Sequence, residues 1–261
     1  VLVDRGGTED LWLYHLMLAP MAIGGVVAAL TLPLARAGRT RFGRPRDLRR
    51  ISRYAGVNWV ATLASQAPQF VLPLLVAQHV SDATYGAYFL AWVATALVML
   101  APAAIAQVLL VEGAKDADAP ELERVDGIDP VRSREAFGIS IGLAGLAFAG
   151  SLVVAAGADR WVDPGVLADA AATLPKLMVA GLPWAIASVR LSEARIRRDQ
   201  LATVAITAML GLGIVVPALW WVPADGVDGA VRAWWVGNGG AALVAVGMHQ
   251  RRRRVPRLAA A

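Results

Sequence analysis

The sequence contains no cysteine, which excludes disulfides and thiolate metal sites and leaves the redox compartment unread. It is also poor in charge. Asp, Glu, Lys and Arg make up 17% of the 261 residues, against 57% hydrophobic ones, and the mean hydropathy is +0.54. A soluble domain of this length needs more charge than that to cover its surface. No Asp or Glu lies in the core of any long apolar run, so a proton relay through a buried carboxylate is not encoded there. HExxH, GxSxG and Walker patterns are missing. The three histidines, His15, His79 and His249, are scattered and read as interfacial, so neither a metal nor another cofactor is expected. An intramembrane enzyme would need a His or a carboxylate inside the bilayer, and the chain is therefore expected not to be an enzyme. The opening VLVDRGG lacks a Met and a basic segment ahead of a short apolar core, so no signal peptide is expected.

What the chain has in abundance is apolar runs of eighteen residues or more, each long enough to cross a hydrocarbon core of about 30 Å. Seven helical spans are predicted, at 11–34, 55–78, 87–111, 137–156, 172–189, 201–222 and 230–248. The basic residues alternate between their connections. Segment 35–54 holds eight Lys or Arg, 112–136 four, 190–200 four and the tail after Met248 five, whereas 1–10 and 157–171 hold one each and 79–86 and 223–229 none. Because Lys and Arg mark cytoplasmic loops, this pattern places the N-terminus outside and the C-terminus in the cytoplasm, and it requires an odd number of spans. The net charge of +5 and pI of about 10.2 thus point to anionic lipid headgroups and not to nucleic acid. The longest basic stretch, RAGRTRFGRPRDLRRISR (36–53), separates a lone first span, 1–35, from the six that follow, 54–248, with a basic tail at 249–261.

One span is unusually polar. SQAPQFVLPLLVAQ (65–78) and the residues before it set Asn58, Thr62, Ser65 and Gln69 within about 40° of one another on a helix, with Gln66 at the flank. Such a face is costly against lipid and must meet other helices or a water-filled cavity. Pro68 and Pro73 each remove a backbone donor and are expected to bend this helix. Two readings stay open: a cavity lining, as in the bent helices of transporters, or hydrogen bonding between packed helices. Pro102 with Gln107 gives the third span a second candidate, and Asn238 does the same in the glycine-rich VGNGGAA (236–242). Pro20 and Pro183 interrupt two further spans. The small-residue pairs Gly138/Gly142 and Gly145/Ala149 read as helix-packing contacts. Lys176 and Arg232 read as snorkelling residues near the outer ends of spans, with Asp228 offering Arg232 an ion pair; Arg232 is the basic candidate should the cargo be anionic. Trp92, Trp184, Trp220, Trp221, Trp234 and Trp235 fall toward span ends and are expected to form an interfacial belt.

From about Tyr54 onward, over roughly 200 of the 261 residues, the chain resembles the C-terminal half of the polysaccharide and lipid-linked-oligosaccharide flippases, in the MOP superfamily that also holds the MATE multidrug exporters. The resemblance is carried by Asn58 and LPLLVAQHVSDATYGAYFLAWVATALVMLAPAAIAQVLL, with Pro73, the loop 79–84, Tyr85-Gly86, Pro102 and Gln107 in the family's order. WVPADGVDGAVRAWWVGNGGAALVAV (221–246) is similar to the family's glycine-spaced turn, here Gly226 and Gly229, between its last two helices. It implies an all-α integral membrane fold: a second six-helix lobe, preceded by the last helix of a first lobe and a cytoplasmic inter-lobe linker at 36–53. It also implies alternating access around a cavity that the span holding SQAPQFVLPLLVAQ (65–78) faces. The family's lumen is expected to be cationic where the cargo carries a pyrophosphate, and this half supplies little positive charge at mid-membrane.

The expectation is a transporter lobe in the cytoplasmic membrane that flips lipid-linked glycan precursors for cell-surface polymers, partnered by membrane lipids and by a first lobe or a second copy. The rival is a non-transporting scaffold of a polysaccharide assembly system, docking soluble partners on 36–53 and the basic tail.

Overall fold

A computed structural model describes residues 45–117, 130–161 and 165–259. They form six helices, with no strand among them: α1 (Pro45–His79), α2 (Asp82–Ala117), α3 (Pro130–Trp161), α4 (Val166–Met178), α5 (Gly181–Ile196) and α6 (Gln200–Ala259). The chain divides into a unit Val1–Arg53 and a unit Tyr54–Ala261, and the packing below is that of the second. The expected span 11–34, the basic stretch up to residue 44 and residues 118–129 of the loop 112–136 lie outside the described residues.

Local chemistry sets the helix ends. Ser81 starts α2: its hydroxyl accepts the Thr84 N–H at 3.3 Å and its carbonyl accepts the Tyr85 N–H at 2.8 Å. Asp199 starts α6 in the same way, its carboxylate accepting the Ala202 N–H at 3.1 Å. Four helical stretches are long and apolar enough to cross a membrane: Gly56–His79, Asp82–Gly113, Val131–Ala158 and Gln200–Arg251. The pair α4–α5, bent by 45°, makes a fifth if taken as one span. The outward surface suits lipid, since Phe70, Leu97, Leu146, Leu212 and Leu243 are all more than 60% exposed, far beyond what a soluble monomer displays.

One span differs from expectation. The predicted continuous helix 172–189 is broken at Val179–Ala180. Pro183 is the physical cause, because its ring excludes the carbonyl of residue 179 and it has no N–H to bond it. The Ala180 N–H turns instead to the Leu177 carbonyl at 3.3 Å. Pro68, Pro73 and Pro102, by contrast, leave α1 and α2 as single helices.

The 52-residue stretch Gln200–Arg251 would reach about 78 Å if straight, more than twice the hydrocarbon thickness. They fold back at Gly226, whose φ of 56° and ψ of −125° interrupt the helix. The two arms then run antiparallel. A Cβ on Gly237 would meet Ile214 and one on Gly240 would meet Met209. Further along, Leu210 and Ile206 pack with Ala241 and Ala245. The arms match the separately predicted spans 201–222 and 230–248. Gly226 sits in a backbone region open to glycine and closed to L-residues, so Gly226→Ala is expected to cost about 1–2 kcal/mol, read as a lowered unfolding midpoint in detergent.

Three buried clusters hold the bundle. Leu72, Val76, Tyr88, Trp92, Leu177, Ile214, Val222 and Trp234 form the largest. Ala187, Leu191, Ile206, Leu210, Ala241 and Ala245 form a second, and Ala106, Leu109, Ala136 and Val189 a third. Trp184 packs against both the first and the second. Of the small residues the sequence singles out, Gly237 and Gly240 of VGNGGAA make close approaches and those of α3 do not. Gly138, Gly142 and Gly145 face open space, whereas a Cβ on Gly211 would lie 2.3 Å from the Ala64 carbonyl oxygen, so α6 presses on α1 there.

Candidate functional site: an uncharged polar cavity

Where the first cluster meets the second, the bundle leaves a cavity of about 120 Å³. Its walls come from four helices. From α1 come Ser65, Gln66, Pro68 and Gln69, from α2 Trp92, Thr95 and Met99, from α5 Trp184, and from the arms of α6 Leu210, Ile214, Trp234 and Asn238. The polar stripe of α1 therefore faces a cavity over its second half. Its first half does not. Thr62 Oγ1 donates to the Asn58 carbonyl at 2.9 Å and accepts from Arg195 Nη2 at 3.4 Å, and neither Asn58 nor Thr62 reaches the cavity wall.

Asn238 joins the wall as expected and is fully buried. Its Nδ2 donates to the Trp234 carbonyl one turn back at 2.8 Å, which fixes the amide with its oxygen uncommitted. Asn238 Oδ1, Trp184 Nε1 and Trp234 Nε1 are all buried without a hydrogen-bond partner. An orphan of this kind costs about 1–3 kcal/mol, and three on neighbouring residues of one wall are unusual in a native core. Tyr88 Oη and Ser140 Oγ are orphaned away from the cavity. The Thr95 hydroxyl is satisfied by the Ala91 carbonyl at 2.8 Å, so it presents mainly its methyl group and lone pairs. The indoles of Trp92 and Trp234 meet edge to face, centroids 4.9 Å apart at 67°.

Three expected candidates stand elsewhere. Gln107 is exposed on α2 and Pro102 is buried there, neither of them in the wall. Arg232 is exposed at the end of the bundle near Gly226. It pairs with Asp225 and lies 5.8 Å over the Trp221 ring, while Asp228, its expected partner, instead takes Lys176 at 2.9 Å. The belt reading fails for Trp92, Trp184 and Trp234, which wall the cavity. It suits Trp220, 76% exposed, and Trp235, 40% exposed. A sequence signal for two pairs of wall residues was available: Trp234 and Asn238 are four apart, as are Trp92 and Ala96, so each pair shares a helix face.

At the opposite end of the bundle sits a cluster absent from the sequence reading. Glu193 on α5 is only 4% exposed. Arg190 Nη1 donates to its two oxygens at 2.9 and 2.8 Å, Ser133 donates to Oε1, and His249 Nδ1 lies 3.5 Å from Oε2. The Arg190 guanidinium also lies 5.3 Å over the Phe137 ring. The cluster ties α3, α5 and the second arm of α6 together. It was missed because α5 runs to Ile196, past the predicted end of its span at 189.

These features define the class: an all-helical, membrane-embedded, multi-pass chain with a polar but uncharged cavity inside its bundle. No known protein family, curated protein or solved structure matches the chain.

Proposed function

We propose that the chain is a transporter lobe of the cytoplasmic membrane that moves lipid-linked oligosaccharide or polysaccharide precursors by alternating access, with its N-terminus outside and its C-terminus in the cytoplasm. The observation that carries this reading is the cavity. A bundle with an apolar exterior places Ser65, Gln66, Gln69 and Asn238 around a space that opens at the two glutamines, and transporters hold their cargo among such groups near the midplane. A scaffold has no need of a polar cavity within its bundle. The mechanism requires no covalent step: a first lobe or a second copy supplies the facing wall, and rocking of the two exposes the cavity to either side.

An open groove on a neighbouring flank of the same helices gives the lipid part of such a cargo an apolar surface. Val57, Val60, Ala61 and Ala64 face Val204, Ala208 and Leu212 across it. Its one hydroxyl, on Thr207, is turned into its own helix and donates to the Thr203 carbonyl at 2.7 Å.

Reconstituted in proteoliposomes with a fluorescent lipid-linked glycan, the chain is expected to move it between leaflets. Gln69→Leu and Asn238→Leu should slow that movement about tenfold each, the effect of losing one ligand hydrogen bond worth roughly 1.4 kcal/mol. Leu243→Ala, on the lipid side, should leave the rate unchanged. Equal rates in all three variants would sink the reading.

A further inference from the structure

We propose that the cavity is a site for an uncharged, hydroxyl-bearing ring, a neutral sugar residue, and that it discriminates against anionic groups. The proposal rests on the transport reading only in taking the cavity as the place where cargo sits, and it says which part of a cargo enters.

Charge comes first. None of the residues lining the cavity is Asp, Glu, Lys, Arg or His. A phosphate or carboxylate placed there would leave water for a wall with no counter-charge, a transfer that is strongly unfavourable. Of the described cations, Arg195 donates to Thr62, one turn before Ser65 of the wall, and three others hold carboxylates. Lys176 holds Asp228, Arg232 holds Asp225, and Arg190 holds Glu193. A pyrophosphate on a lipid-linked glycan must therefore be held outside this cavity.

Hydrogen-bonding capacity comes second. On the wall residues, two indole N–H donors, of Trp184 and Trp234, and one carbonyl acceptor, of Asn238, have no partner; neighbouring atoms enclose all three, so a guest reaches them through a turn of those side chains. A hydroxyl serves both kinds, since it accepts from an N–H and donates to a carbonyl. Gln66 and Gln69, both exposed on α1, add amide groups able to do either. A quaternary ammonium, the other common occupant of aromatic cages, would leave both indole N–H groups unserved and finds no carboxylate in the wall.

Shape comes third. The same walls carry indole faces and the apolar Met99, Leu210 and Ile214. A pyranose has that mixed character, with C–H bonds on one face that pack on aromatic rings and hydroxyls around its edge. The cavity has about eight times the space that a single water needs, which fits a ring better than an isolated structural water.

The test is equilibrium binding to the full chain in nanodiscs, read by saturation-transfer NMR. The probes are methyl β-glucoside and N-acetylglucosamine as neutral sugars, glucuronate as the anionic counterpart of the same ring, and tetramethylammonium as the rival cation. Saturable binding of the neutral sugars with Kd near 1 mM, at least tenfold weaker binding of glucuronate, and no competition from tetramethylammonium are expected. Trp184→Phe and Asn238→Leu should each weaken neutral-sugar binding about tenfold. Should Asn238→Leu fail to fold, Gln69→Leu gives the same comparison from the exposed side of the cavity. Absence of saturable sugar binding, glucuronate binding as well as glucoside, or displacement by tetramethylammonium would each overturn the proposal. Sugar binding without movement of lipid-linked glycan would uphold the site and overturn the transport reading. Movement without neutral-sugar selectivity would do the reverse.

Discussion

Glu193→Ala is expected to be the most destabilising single substitution among the described residues, by about 3–5 kcal/mol. The carboxylate is 4% exposed and accepts from Arg190 and Ser133. Removing it leaves the Arg190 guanidinium, whose side chain is only 20% exposed, over the Phe137 ring with no counter-charge. It also leaves the Ser133 hydroxyl without its acceptor. The loss falls on three helices at once, because Ser133 is on α3, Arg190 on α5 and His249 on α6. Glu193→Gln keeps an acceptor for Ser133 and loses only the charge, so it should fall between wild type and alanine. Chemical unfolding in detergent measures all three, and a change below about 1 kcal/mol for Glu193→Ala would contradict the assignment. The pairs at the other end serve as contrast. Lys176–Asp228 and Arg232–Asp225 are roughly half exposed, and breaking either should cost well under 1 kcal/mol.

Gly211→Ala is the second large effect, and Gly142→Ala is its control. The same methyl group is added to both helices with opposite results. At Gly211 the new Cβ would lie 2.3 Å from the Ala64 carbonyl oxygen and 2.8 Å from its carbon. Backbone atoms cannot rotate out of the way, so α1 and α6 must move apart. The expected cost is about 3 kcal/mol, the upper end of overpacking penalties. The shift would also move Ser65 and Gln69 away from Leu210 and Ile214 across the cavity, so sugar binding should weaken together with stability. At Gly142 the Cβ meets nothing within 4 Å, and the higher helix propensity of alanine should stabilise the chain by up to about 1 kcal/mol. Equal midpoints for the two variants would show that α6 does not press on α1 as described.

The sequence made the helical spans legible because a span is a local property: eighteen apolar residues in a row announce themselves whatever they later touch. The polar face of α1 was equally legible, since Ser65 and Gln69 share a side by helical geometry alone. What the face looks at was not. Trp92, Trp184 and Trp234 come from three separate stretches, and only the packing of α2, α5 and the second arm of α6 brings them to one wall. The small-residue spacing of α3 misled for a related reason. It is a necessary condition for close approach, and whether a neighbour approaches is decided elsewhere in the chain; at Gly211 and Gly237 one does, and at Gly138 none does. Glu193 was hidden by a boundary, because a carboxylate four residues beyond a predicted span end reads as a loop residue until the helix continues over it.

The hairpin at Gly226 bears on how the molecule assembles during synthesis. Its arms meet through a reversal of a few residues, with Val222 and Ala230 in one cluster near the turn and Ile206 and Ala245 in another far from it. Closing a short loop loses less chain entropy than closing a long one, so these contacts form readily once the second arm exists. But that arm emerges last, and it brings Trp234 and Asn238 with it. Until then the cavity that Gln66 and Gln69 border lacks its far wall, and Trp92 and Trp184 stay uncovered on that side. Trp234 and Asn238 thus complete a site whose other residues all come earlier in the chain, and a chain halted before Trp234 would lack that wall.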